Sequence, residues 1–84
     1  MRFKPKAHYF KPRGIPMSQL DEVILTKEEM EAVKLKDHDG MGQIEAAEKM
    51  NTSQSTFQRI LASAHTKIAT AIVGGKALII EKRK

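Results

Sequence analysis

Residues 43–60, QIEAAEKMNTSQSTFQRI, constrain the fold more than any other stretch, because their residue types fall where a helix-turn-helix requires them. The pattern starts at Gln43, and Ala47 puts a small side chain where a first helix must pass close to a second. Asn51 follows four positions later, where the chain has to turn through a left-handed conformation. Its short amide tolerates positive φ better than any residue except glycine. Ser53 offers an N-cap hydroxyl to the next helix. Phe57, Ile60 and Leu61 then form the inner face of that helix, leaving Gln54, Ser55, Gln58 and Arg59 outward on its first turns. A short helix start of this kind, polar and able to hydrogen-bond, suits entry into the major groove of duplex DNA. An ordinary helical hairpin is the plainer alternative, and agreement at six positions favours the DNA-reading form.

Charge is distributed unevenly. The net charge of +5 is segregated along the chain. Residues 1–17 carry Arg2, Lys4, Lys6, Lys11 and Arg13 without an acid. Residues 18–50 hold nine acids against four bases, and residues 51–84 hold six bases against Glu81 alone. Positive charge at both ends and on the reading helix fits a polyanionic partner, although solvated basic tails are the plainer explanation. The acidic middle argues against a protein that coats nucleic acid from every side.

Eighty-four residues make one small domain, whose core is marginal by itself and would gain from a partner chain. The absence of cysteine rules out disulfides and any Cys-based zinc site, which suits a reducing cytoplasm. No apolar run approaches the ~20 residues of a membrane span. The basic N-terminus also lacks the apolar stretch of a signal peptide.

Along the chain, residues 1–8 read as a flexible basic N-terminus. Tyr9 to Met17 reads as a short strand and an ordered Pro-Arg-Gly turn, with Tyr9 and Phe10 covering the core. Lys11 and Arg13 are candidates for an arm that reaches phosphates or a minor groove. Ser18 to Leu25 is expected to form a short helical turn. Thr26-Lys27-Glu28-Glu29 reads as a capping box, opening a helix to about Asp37 with Met30, Val33 and Leu35 inward. Gly40 and Gly42 break the chain. A helix over 43–50 follows, with Ile44, Ala47 and Met50 inward. The reading helix spans 53–73, and Phe57, Ile60, Leu61, Ala64, Ile68, Ala71 and Ile72 recur on it at the spacing of one buried stripe. Gly74-Gly75 stops it. The β-branched run over 76–81 reads as a strand, which must pair with the segment near Tyr9 or, across the glycine hinge, with a second chain. A single helix-turn-helix domain over 9–81, a basic tail over 82–84 and a homodimer through the 76–81 strand are therefore expected.

Catalysis finds little support, since no spacing suggests a nucleophile elbow, a phosphate loop or a metal helix. His38 between Asp37 and Asp39 resembles a ligand cluster only superficially, because three consecutive side chains at a helix end cannot easily converge on one ion. No enzyme, metal or cofactor is expected. For DNA, Gln54 and Gln58 lie one helical turn apart, and a Gln amide pairs bidentately with adenine N6 and N7. Ser55 can donate or accept on either base. Arg59 is better placed for a phosphate, and Gln43, Thr52, Ser53 and Thr56 flank the turn where phosphates are met. Lys49 and Lys67 add longer-range attraction. For Ser53 and Thr56, capping alone is a sufficient explanation.

The segments YFKPRGIP (9–16), EEMEAVKLKDHDG (28–40), EAAEKM (45–50), STFQRIL (55–61) and GKAL (75–78) resemble the prokaryotic domain-of-unknown-function family 134. The resemblance covers nearly the whole chain from Tyr9 to Glu81. It implies a DNA-binding helix-turn-helix related to the sigma-factor domain that reads the −35 promoter element. It also implies a protein of the prokaryotic cytoplasm, associated with the nucleoid, without a membrane. The family tends to carry Arg at the position of Gln54, a small residue at Gln58, a Ser-like cap at Gly42 and Gly at Asn51. The expected fold is thus mainly α, a sigma-like helix-turn-helix bundle of three to four helices with short N- and C-terminal β-strands. The expected function is sequence-specific double-stranded DNA binding in transcriptional regulation. The rival is an adapter that docks on transcription machinery, RNA polymerase included, through the acidic 18–50 face. Single-stranded RNA binding is weaker still, because the four aromatics do not alternate with basic residues as a stacking platform would.

Overall fold

A computed structural model describes residues 9–81; the expected flexible segment 1–8 and basic tail 82–84 lie outside the described residues. Strand β1 (Tyr9–Phe10) leads through a 3-10 turn, Met17–Gln19, to strand β2 (Glu22–Leu25). Helix α1 (Lys27–Val33) runs on into a π-helical turn, Lys34–His38. Helix α2 (Gln43–Lys49), the long helix α3 (Gln54–Gly74) and strand β3 (Ala77–Ile80) complete the chain. The fold is mainly α, with short strands contributed from both ends of the described chain.

Local sequence signals account for most element boundaries. Thr26 caps α1 through its hydroxyl, which accepts from the Glu29 N–H at 3.2 Å. Glu29 Oε1 in turn accepts from the Thr26 N–H at 2.8 Å, closing the predicted capping box. Gly75, at φ 64°, ends α3. There the Lys76 N–H reaches Ala71 O at 2.8 Å and the Gly75 N–H reaches Ile72 O, a pairing that satisfies carbonyls the helix end would leave open.

The sheet corrects the sequence reading at one point and selects between its alternatives at another. The helical turn expected over Ser18 to Leu25 is confined to Met17–Gln19; beyond it the chain extends, and Glu22–Leu25 pairs in parallel with β3 from Glu22↔Ala77 to Leu25↔Ile80. The physical reason lies in Val23-Ile24-Leu25, an apolar, partly β-branched run that suits a strand once a partner edge exists. That edge comes from residues more than fifty positions away. On its other side β3 pairs antiparallel with β1, Tyr9↔Ile79 and Phe10↔Leu78, so the strand order is β1-β3-β2. Both edges of β3 are therefore occupied within one chain. Of the two pairings expected for the 76–81 strand, the one with the segment near Tyr9 is formed.

One core cluster is formed by Ala32, Leu35, Ala46, Ala47, Phe57 and Leu61, with Val33, Met41, Met50 and Ile60 packed around it. Phe57 is wholly buried and is its largest fully enclosed side chain. Ala46 and Ala47 allow α2 to approach α3 closely. Leu25, Ala77 and Ile80 bury the sheet side, and Ala64 and Ala71 continue the buried stripe along α3. Several expected core residues are not in it. Tyr9 and Phe10 sit on a two-residue edge strand and stay about half exposed, at 49% and 57%. Ile44 is 63% exposed, because it lies about 110° around α2 from the centre of the Ala46–Ala47–Met50 stripe at ~100° per residue. Ile72 is also exposed, because it lies about 65° round α3 from the centre of the Phe57–Leu61–Ala64–Ala71 stripe at ~100° per residue.

Candidate nucleic-acid interface

The turn between α2 and α3 is built from the residues that the sequence singled out. Asn51 takes φ 55°, the one positive φ at a non-glycine among the described residues. Its N–H bonds to Glu48 O at 3.0 Å, and the N–H of Thr52 reaches back to Ala47 O at 3.0 Å. These two bonds make the left-handed helix stop that closes α2. Two residues later Ser53 caps α3, its Oγ accepting from the Thr56 N–H at 3.2 Å. The Ser53 hydroxyl also bonds to Thr56 Oγ1 at 2.9 Å. Ser53 and Thr56 are thus occupied in holding the start of α3, which is the structural role their types allow.

Gln54, Ser55, Gln58 and Arg59 are all exposed on the first two turns of α3. Gln54 and Gln58 share a bracket: the Oε1 of Gln43, the first residue of α2, accepts from Gln58 Nε2 at 2.7 Å and from Gln54 Nε2 at 3.3 Å. Gln43 is partly buried, and so is Thr52 at the turn. Gln43, Gln54 and Gln58 are therefore brought together by hydrogen bonds, with Ser55 exposed on the same first turn of α3. Arg59 stands about 100° further round α3. It borders an open groove of about 370 Å³ shared with Thr26, Glu28, Glu29, Ile60 and Ser63. From there its guanidinium serves the flank of the exposed face, next to α1, rather than its middle.

Lys67 is drawn out of this set. It lies 13 residues beyond Gln54, about 20 Å along the axis at 1.5 Å per residue. There its Nζ donates to Glu29 Oε1 at 2.8 Å. The Glu29 side chain is 7% exposed and accepts from three donors: the Lys67 ammonium, the Ser63 hydroxyl and the Thr26 N–H. Burial by itself would raise the Glu29 pKa. The Lys67 and Ser63 hydrogen bonds, followed by the Thr26 N–H and the Lys67 charge, outweigh it and lower the carboxyl from 4.5 to about 2. This junction locks α1 to the middle of α3. Sequence reading found its capping-box half and missed the rest, because Ser63 and Lys67 lie 34 and 38 residues from Glu29 and leave no local pattern.

Lys11 and Arg13 are not brought to the start of α3 either. They follow Phe10, whose partner Leu78 is the second residue of β3, and β3 begins just after α3 has ended. That end is 20 residues, about 30 Å of helix, from Gln54. Lys11 Nζ closes its own turn by donating to Ile15 O at 2.9 Å, while Arg13 is exposed. Lys49, exposed in the last turn of α2, remains close to the motif in sequence.

The acidic middle is partly neutralised inside the fold. Asp37 pairs with His65 of α3, and Asp39 pairs with Lys34 at 2.8 Å and with His38 at 2.9 Å. The hydrogen bond from Lys34, then that from His38, holds the Asp39 carboxyl below its usual value. Of these three consecutive residues, Asp37 thus turns to α3, while His38 and Asp39 pair with each other. Among the described residues no group of three or more His, Asp or Glu is placed to hold a metal ion. Among them, too, no helix is long and apolar enough to cross a membrane.

Comparison with known sequences settles the family. The profile of the family described as protein of unknown function DUF134 matches residues 1–83. The chain belongs to DUF134. A UPF0251 protein of Thermoanaerobacter pseudethanolicus is 54% identical over 81 residues, covering 96% of this chain and 69% of the relative. UPF0251 proteins of Dehalococcoides mccartyi and Prosthecochloris aestuarii are 56% and 49% identical over 77 residues, 92% of this chain in each case. The match spans 66% of the former and 50% of the latter, so the second relative carries about as much sequence again outside the matched segment. No solved structure matches the chain significantly.

Proposed function

We propose that this DUF134 chain is a sequence-specific double-stranded DNA-binding protein that regulates transcription, with the start of α3 as its reading element. One observation carries the reading. The left-handed stop at Asn51 and the Ser53 cap present Gln54, Ser55 and Gln58 together on an exposed helix start, with Gln43 of α2 bonded to two of them. A polar helix start offered in this way matches the donors and acceptors of base edges in a major groove. Arg59 at the flank and Lys49 on α2 are the groups for backbone phosphates, and the basic segments 1–17 and 51–84 supply long-range attraction. The action is binding, without catalysis, and its place is the prokaryotic nucleoid.

The adapter reading has less to stand on. Three acids of the 18–50 segment, Glu29, Asp37 and Asp39, are already paired with Lys67, His65 and Lys34. Glu28, Glu31, Glu45 and Glu48 are left as the exposed acids on its helices, divided between α1 and α2. Polymerase subunits recovered in a pull-down that contained no DNA would reverse this preference.

The test is a titration of random genomic duplex at increasing salt. A protein that neutralises several phosphates loses affinity steeply as salt rises. Gln58→Ala combined with Arg59→Ala is expected to weaken binding. Binding without salt dependence, or a double variant with unchanged affinity, refutes the proposal.

A further inference from the structure

The three glutamines at the junction of α2 and α3 form an arrangement that residue types alone do not define. Gln43 Oε1 accepts from the Nε2 groups of both Gln58, at 2.7 Å, and Gln54, at 3.3 Å. A free glutamine amide is nearly symmetric in shape and can rotate to exchange its donor and acceptor ends. With its oxygen turned to them, Gln43 restricts that freedom, because both partner amides then face it with their nitrogens. An amide nitrogen has two N–H groups, so one on Gln58 is taken and one remains. The carbonyl oxygen of Gln58 is also left over. What Gln58 offers outward is one donor beside one acceptor.

We infer that Gln43 is a specificity-positioning residue, which fixes the Gln58 amide in the orientation that reads adenine and rejects guanine in a duplex major groove. This rests on the duplex-DNA reading above and narrows it to one base class. Adenine presents an acceptor, N7, beside a donor, the N6 amino group, and the fixed amide complements both. Guanine presents two acceptors, N7 and O6, so the fixed carbonyl oxygen of Gln58 would oppose O6. An amide released from Gln43 turns its two N–H groups toward guanine and loses the distinction. Gln43 itself need not touch the base. Its oxygen is engaged by the two neighbouring amides, and its own Nε2 keeps both N–H groups for a backbone phosphate.

The experiment selects bound duplexes from a random pool with the full chain. It then measures the affinity for the selected duplex and for duplexes with each A·T pair changed to G·C. Wild type is expected to prefer A over G at one position by about tenfold to a hundredfold, the range of a good bidentate base contact. Gln58→Ala is expected to abolish the preference at that position. Gln43→Met, similar in size but without the acceptor, is expected to reduce the preference tenfold or more while weakening affinity for the best duplex by a smaller factor. Gln43→Glu keeps an acceptor for both amides. It is expected to retain the A-over-G ratio although its charge lowers affinity overall. Circular dichroism of each variant checks that the helices remain. If wild type binds duplex with steep salt dependence and Gln43→Met keeps the full ratio, the inference is overturned and the DNA-binding proposal stands. If wild type binds no duplex, both are overturned.

Discussion

Replacing Glu29 by glutamine tests the junction that holds α1 against α3. The wild-type carboxylate is nearly enclosed and accepts from Thr26, Ser63 and Lys67. Glutamine keeps the length and, with its oxygen in the Oε1 position, an acceptor for the Thr26 N–H and the Lys67 ammonium, but it removes the charge and turns an N–H donor toward the Ser63 hydroxyl. In the folded state the carboxyl is lowered from 4.5 to about 2. At about 1.4 kcal/mol for each tenfold change in proton affinity, that shift is worth about 3 kcal/mol. Lys67 is one-third exposed, and water screens part of its attraction, so a loss of about 2 kcal/mol is the working figure for Glu29→Gln at pH 7. In a domain of this size that lowers the melting temperature by roughly 8–16 °C. The pH dependence is more diagnostic. Because the folded carboxyl is the stronger acid, the unfolded chain takes up the proton first as pH falls. The stabilisation is therefore complete above about 4.5 and disappears as pH drops toward 2. Urea unfolding of both proteins from pH 7 to pH 2.5 should show their stability difference shrinking across that window. Other acids, Asp39 included, cancel in the difference. A gap that stays constant down to pH 2.5 would show that the charge on Glu29 is not what the junction depends on.

Two further substitutions test the motif itself. Gly42 occupies the N-cap of α2 at φ −67° without a side-chain bond, and a Cβ there would meet nothing within 4 Å. Gly42→Ser should therefore stabilise the domain by a few tenths of a kcal/mol, seen as a small rise in the urea midpoint; a lower midpoint contradicts this. At Asn51, φ 55° predicts that Asn51→Ala costs about 1 kcal/mol, whereas Asn51→Gly costs nothing. Melting curves that rank alanine equal to glycine would show that the turn does not need a left-handed residue.

The sequence by itself determined the features that depend on near neighbours. Asn51 and Ser53 set the turn and the start of α3, Thr26 and Glu29 capped α1, and Gly75 ended the long helix. Each works through hydrogen bonds to backbone groups within about five residues, so spacing alone reveals it. What the sequence left open depends on residues far apart along the chain. Glu22–Leu25 becomes a strand only because Ala77–Ile80 offers an edge, and Tyr9–Phe10 takes the other edge of that strand. Lys67 reads as a free cation until α1 carries Glu29 to within 2.8 Å of it. Ile44 follows the apolar spacing of an inner residue, yet the alanines of α2 claim the contact and turn it to solvent. Gln43, Gln54 and Gln58 are visible as three polar residues, and only the packing of α2 across α3 joins their amides. Backbone capping is decided within a single turn of chain, whereas burial, strand pairing and side-chain brackets are decided by which surfaces the assembled fold brings into contact.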